Sequence, residues 1–132
     1  MTFLDTLGVT GSDPWATDRP GDDAGLRVTP TDEHSNVNGG VHGGLLGTLL
    51  DSVMGDAVRS DLPDGKSAVT VSLTVTFLSG AKVGEELLAS AEVRKQGGSL
   101  VMVEGDVVRA EDDKAIAHGV ATFSVIDVTD GD

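Results

Sequence analysis

The chain has 132 residues, 39% of them hydrophobic, with a formal net charge of −13, a size that suits one domain around one modest core. It contains no cysteine, which excludes disulfides, thiolate metal ligands and a cysteine nucleophile. The 9 Lys and Arg residues stand against 22 Asp and Glu scattered along the whole chain, so no basic stripe exists for nucleic acid. Self-repulsion of this kind weakens a compact fold at low salt and is screened at molar salt. The composition therefore predicts a salt-adapted cytoplasmic protein whose melting temperature rises from low to molar KCl, with an ordinary acidic protein as the alternative.

The N-terminal sequence carries Asp5 and no basic region ahead of its short apolar stretch, unlike a secretory signal. Residues 1–24, rich in Gly, Pro and Asp and containing Trp15, show no sustained period and are expected to form an N-terminal arm with a helical turn at Phe3 to Leu7. Residues 25–127 are expected to form the domain proper, and residues 128–132 an acidic tail. Leu26 to Thr29 is a short extended piece ending at Pro30, which restricts the preceding residue to extended geometry. A polar loop from Thr31 to Gly40 feeds the strongest helical signal. From Gly43 to Arg59, Leu46, Leu49, Leu50, Val53, Met54 and Ala57 recur at helical spacing, and Leu62-Pro63-Asp64-Gly65 supplies the stop. The apolar run from Leu45 to Val58 is broken by Asp51 and Asp56 and is too short to span a bilayer.

Four strands follow. Ser67 to Leu78 alternates, which predicts Val69, Val71, Leu73, Val75 and Phe77 on one face and Thr70, Ser72, Thr74 and Thr76 on the other. Glu86 to Lys95, Ser99 to Arg109 and Lys114 to Val125 are joined by Gln96-Gly97-Gly98 and Glu111-Asp112-Asp113, joints short enough for antiparallel hairpins. One long helix before a run of antiparallel strands is an α+β pattern with the helix on one sheet face.

On a helical wheel Gly44, Gly47, Gly55 and Val58 fall within about 40° of Asp51, so this carboxylate stands on a face nearly bare of side chains. Interior helical glycines cost up to about 1 kcal/mol each relative to alanine, and a stripe of them suits the close approach of a ligand or another backbone. The alternative is that the glycines serve helix packing alone and Asp51 is solvated. An ionised, partly desolvated carboxylate is a competent nucleophile or a general base toward water. At the helix start, Gly43 and Gly44 present unobstructed N–H groups where unpaired donors and the helix dipole favour developing negative charge, as an oxyanion hole requires. Gly43 and Asp51 are eight residues apart, about 12 Å along the axis at 1.5 Å per residue. One carbonyl cannot touch both. If both act on one bond, they come from different subunits with helices antiparallel about a two-fold axis.

Asn36, then His42-Gly43-Gly44, then Asp51 resembles the Asn-x5-His-Gly-Gly-x6-Asp pattern of the PaaI-type branch of hotdog-fold thioesterases. The likeness continues through Val69-Thr70-Val71 and Thr76 to Glu85 and runs from about Leu26 to Val125. It implies a hotdog fold, a long central helix wrapped by an antiparallel sheet of about five to six strands. It also implies a hydrolase that cleaves aryl- or acyl-CoA thioesters, with Asp51 as nucleophile or general base. The Gly43 amide would polarise the carbonyl, Gly44 would help bind the substrate, and Asn36 and His42 would orient the thioester and its leaving group. Thr70 matches a position that often carries a serine or threonine positioning water, although strict alternation puts it on the face opposite the apolar series. Lys82, Arg94, Lys95 and Arg59 are the candidates for holding coenzyme A phosphates, in a chain with few cations to spare. The family is built of homodimers, commonly paired into tetramers, with no cofactor beyond the substrate's coenzyme A. The acyl pocket is expected to draw on Leu46, Leu50, Met54 or Trp15 and a partner subunit.

Other chemistries fit less well. His34, His42 and His118 match no metal-ligand spacing, so no metal is expected. His42 has an alternative role as a residue that simply opens the helix. Gly65-Lys66-Ser67 resembles the end of a P-loop, but position 60 is Ser and the segment runs from helix to strand. No Gly-x-Ser-x-Gly elbow exists for a serine hydrolase. The remaining rivals share the fold: a non-catalytic acyl-CoA or acyl-ligand binding protein, or an enoyl-CoA hydratase.

Overall fold

The computed structural model describes residues 2–11 and 25–128. In chain order the elements are α1 (Phe3–Leu7), β1 (Thr10–Gly11), β2 (Gly25–Val28), a 3₁₀ turn (Asp32–His34), α2 (Gly43–Ser60), β3 (Lys66–Phe77), β4 (Leu87–Gln96), β5 (Leu100–Arg109) and β6 (Ala115–Asp127). Most of the expected arm, including Trp15, and the end of the acidic tail lie outside the described residues. The helical turn expected at Phe3 forms, and a reciprocal capping box between Thr2 and Asp5 starts it.

The six strands of the described residues pair antiparallel in one sheet of order β1-β2-β4-β5-β6-β3. The α2 segment carries the chain from β2, near one side of the sheet, to β3 at the other edge, so the helix must cross the sheet face. Its apolar positions make that crossing favourable: Leu49, Leu50, Val53, Met54 and Val58 are fully buried, each contributing about 1.5–3 kcal/mol. The result is the long helix wrapped by antiparallel strands that defines the hotdog fold. No helix among the described residues is long and apolar enough to cross a membrane.

The helix seats on a gap in the sheet that hydrophobic periodicity does not signal. Gly105 of β5 and Gly119 of β6 are directly opposite each other. A Cβ on Gly105 would sit 3.1 Å from Met54 Cγ and 3.2 Å from Leu50 Cδ2, and one on Gly119 would sit 3.2 Å from Met54 Cε. The paired glycines therefore admit Leu50 and Met54 against the backbone of the sheet. This corrects the expectation that these two residues line an acyl pocket; both are core.

Strand β3 departs from strict alternation. Thr70 pairs with Phe123 and Ser72 with Thr122, leaving Val71 as an extra residue in a β-bulge. Beyond a bulge the relation between sequence parity and face reverses. Ala68 and Thr70 therefore share the helix-facing side with Leu73 and Val75, while Val69 and Val71 are 46% and 60% exposed. The predicted placement of Thr70 opposite the apolar series is thus wrong, and the bulge is the reason.

Candidate active site

The bulge brings together two groups from different elements. Asp51 projects half-buried from the middle of α2, and Thr70 Oγ1 donates to its Oδ1 at 2.6 Å. A hydroxyl donating to an ionised acceptor makes a short, strong hydrogen bond, which fixes one carboxylate oxygen and leaves the other for chemistry. The pair lies beside β3, the last strand of the sheet order.

At the start of α2 the chain builds a second constellation. His42 is the helix N-cap, its Nδ1 accepting from Gly44 N–H at 2.8 Å. With Nδ1 an acceptor, the neutral ring carries its proton on Nε2. A Cβ on Gly44 would lie 2.8 Å from that same Nδ1, so glycine there is what admits the imidazole cap. Gly43 lies under the ring of Phe77, where a Cβ would come to 3.0 Å from Cζ. Its N–H belongs to the first helical turn, whose donors have no intrahelical acceptor, and none of the described residues accepts it.

Asn36 is oriented by the loop that it closes. Its Oδ1 accepts from the N–H groups of Asn38 at 2.8 Å and Gly40 at 3.2 Å, a turn completed by Gly39 in the left-handed region at φ 82°. With Oδ1 occupied, the amide can offer only its Nδ2 donors, one of which reaches Val41 O at 3.5 Å. Asn36 and Gly43 share a cleft of about 400 Å³ with Leu46, Phe77, Ser79 and Gly80. Asp51 is not among the residues lining it. The structure thus brings Asn36 to Gly43 and Thr70 to Asp51, and holds the two pairs apart.

The glycine stripe has mixed causes. His42 covers Gly44, and the Arg59 guanidinium lies 2.8 Å from where a Gly55 Cβ would be. Only Gly47 on this stripe faces open space, with nothing within 4 Å of an added Cβ. The expected cations also divide. Arg59 is held by Asp56 at 3.0 Å and the Ala68 carbonyl at 3.4 Å, and Arg94 by Glu92 at 3.3 Å and Glu104 at 3.5 Å. Lys95 lies with Leu100 and Met102, which are exposed, and not near Gly43. Lys82 stands next to the cleft, bridged to Gly40 and following Gly80 and Ala81 of its wall, and no acid among the described residues pairs its ammonium. Sequence reasoning missed Phe77 and Ser79 as cleft residues; Phe77 reads as one more member of an apolar alternation, and nothing local marks it as the lid over Gly43.

A helix with a mid-length carboxylate, wrapped by an antiparallel sheet and opened by His-Gly-Gly, defines a hotdog protein of the thioesterase type. The profile described as the thioesterase superfamily matches residues 38–116, and the chain belongs to that superfamily. It is 36% identical over 88 residues to acyl-coenzyme A thioesterase 13 of Mus musculus, an alignment covering 67% of this chain and 62% of the relative. The chain thus spans under two thirds of that relative's length. Among solved structures, a Bacillus halodurans protein determined with CoA is similar at TM-score 0.73 and 34% identity, covering 77% of this chain and 66% of that one. The PaaI protein of the E. coli phenylacetic acid degradation operon is similar at TM-score 0.80 and 26% identity, covering 96% of this chain and 85% of its own.

Proposed function

We propose that this protein hydrolyses the thioester of an acyl- or aryl-CoA to the free acid and CoA, at a site shared between two subunits. The observation that carries the proposal is the hydrogen bond of 2.6 Å between Thr70 and Asp51: a β-bulge turns a hydroxyl toward a helical carboxylate that has no other partner among the described residues. The similarity to a relative named as an acyl-CoA thioesterase and to a structure determined with CoA supports the substrate class.

In the general-base form of the reaction, Asp51 takes a proton from water while the nascent hydroxide attacks the thioester carbon. The carbonyl oxygen becomes an oxyanion and is met by Gly43 N–H and Asn36 Nδ2–H, donors already oriented by the fold. Collapse of the tetrahedral adduct breaks the carbon–sulfur bond, and the proton on Asp51 passes to the departing thiolate. In the nucleophilic form Asp51 attacks the carbon itself and the carbon–sulfur bond breaks to release the CoA thiolate; water then hydrolyses the mixed anhydride to the free carboxylate and Asp51, its two protons going to the thiolate and to solvent. Thr70 positions the reacting oxygen in either case.

Because Gly43 and Asp51 of one chain are about 12 Å apart along α2, the partner supplies the carboxylate. Gly47, midway between them and open on the helix surface, lets an antiparallel helix come close. Among the described residues no strand pairs with the outer edge of β3, a second reason for a partner, since a long exposed edge strand is a liability unless covered. Lys82 is the cation beside the Gly43 cleft, and it takes a CoA phosphate in this reading.

The test is thiol release from a panel of acyl- and aryl-CoA esters by wild type and Asp51→Asn. The proposal expects release by wild type and a loss of about 10³-fold in the variant. Undiminished release in Asp51→Asn would defeat it, and CoA binding without turnover would point to a binding protein instead.

A further inference from the structure

The start of α2 stands between two clefts. One is the Asn36–Gly43 cleft described above. The other, about 360 Å³, has Phe3 and Leu7 of α1 as its roof, Glu33 and His34 of the 3₁₀ turn on one wall, and Leu45 and Thr48 of α2 as its floor. His42 and Gly44 also line it, so the two clefts meet at the His42-Gly43-Gly44 corner. Ligand pockets begin at about 300 Å³.

The roof is fastened. The C-terminus of α1 closes on Gly8 at φ 75°, with Gly8 N–H bonded to Asp5 O at 3.1 Å and Val9 N–H to Leu4 O at 3.0 Å. His34 uses both ring nitrogens: Nδ1 accepts from Thr31 N–H at 2.9 Å, and Nε2 donates to Leu7 O at 2.8 Å. A half-buried histidine is thus spent on holding a five-residue helix over the cleft. Phe3, at the other end of that helix, remains 64% exposed while lining the same cleft as Leu45 and Thr48.

A thioester bound with its carbonyl at Gly43 N–H has two arms, and charge sorts them. The CoA arm carries phosphates and suits the cleft beside Lys82, whose ammonium no acid among the described residues pairs. Among the described residues the roofed cleft has no Lys or Arg in its lining and carries Glu33; that carboxylate repels phosphate and leaves the cleft to an uncharged group. The geometry points to α1 as the roof of the acyl pocket: Phe3 and Leu7 close over the acyl or aryl group and set which groups are accepted. This inference rests on the thioesterase reading and deepens it.

Calorimetric titration of the full chain with two non-hydrolysable thioethers, S-octyl-CoA and S-methyl-CoA, tests it. Phe3→Ala and Leu7→Ala should each lower the octyl-to-methyl affinity ratio about 10-fold, the scale at which apolar pockets discriminate. An unchanged ratio in both variants, with native circular dichroism, would overturn the inference. So would failure of wild type to prefer the octyl ether. Thiol release is measured separately: hydrolysis with an unchanged ratio sinks the roof and spares the enzyme, whereas a lowered ratio without hydrolysis supports the roof and sinks the thioesterase reading.

Discussion

Thr70 and Asp51 show how much a single contact decides. Removing the hydroxyl without changing the shape, in Thr70→Val, takes away a hydrogen bond to a charged group worth about 1.5–3 kcal/mol. If that bond operates in the transition state, kcat falls about 10- to 100-fold, and Thr70→Ser retains most of it. Steady-state kinetics with a fixed acyl-CoA check both, and a Thr70→Val variant with full activity would remove Thr70 from the mechanism. Asp51, Gly43 and Asn36 were legible in the sequence as a spaced pattern and as a carboxylate on a bare helix face. The environment of Asn36 was not, because its two loop hydrogen bonds depend on a turn whose register no period reveals.

Away from the site, Arg109 grips Asp112 through two bonds, Nε to Oδ1 at 2.9 Å and Nη2 to Oδ2 at 2.8 Å. That guanidinium, helped by the Lys114 N–H, lowers the Asp112 carboxyl to about 2. A depressed carboxylate contributes stability that is full above its unfolded value, near 4, and is lost as pH falls toward 2. Denaturant unfolding at pH 6 and pH 3 should therefore show a smaller acid loss for Asp112→Asn than for wild type; an equal loss would mean that the fork contributes nothing.

At the scale of elements, α2 and β3 were readable because their apolar residues recur at a steady period over ten or more positions, and β4, β5 and β6 because they are β-rich runs separated by short turn joints. What escaped was phase. Val71 sits in a run that alternates without a break, and only pairing with β6 reveals it as the extra residue that puts Thr70 on the side of the strand facing Asp51. The glycine pair Gly105 and Gly119 escaped for a related reason: cross-strand neighbours are set by register, and a lone glycine in a strand looks like weakness, not a seat for a helix. Their surroundings differ in a way that can be measured. A Cβ on Gly105 meets the Ser90 carbonyl at 3.1 Å, which is backbone, whereas on Gly119 it meets the ends of Met54 and Leu50. Gly105→Ala should lower unfolding stability by about 1–3 kcal/mol as an overpacked core does, and Gly119→Ala by less, since side-chain ends can move. Urea denaturation of both variants gives the comparison, and the reverse order would contradict this seating of the helix.

For the whole molecule, the separation of the two half-sites is the decisive property. The start of α2 presents N–H donors and its middle a carboxylate, and each is supported by its own neighbours: Asn36 at Gly43, Thr70 at Asp51. The distance between them was computable from sequence alone, since it follows from helix rise. The partner that closes the gap is the central claim. Subunit complementation tests it most directly. Asp51→Asn removes the carboxylate, and Asn36→Asp removes the Nδ2 donor while keeping the oxygen that holds the loop. Each homogeneous variant should be nearly inactive. Co-expressed and purified together, they form mixed dimers in which one of the two shared sites has both wild-type halves, so activity should return to about a quarter of wild type by random pairing. A mixture no more active than its parents would contradict a site shared between subunits.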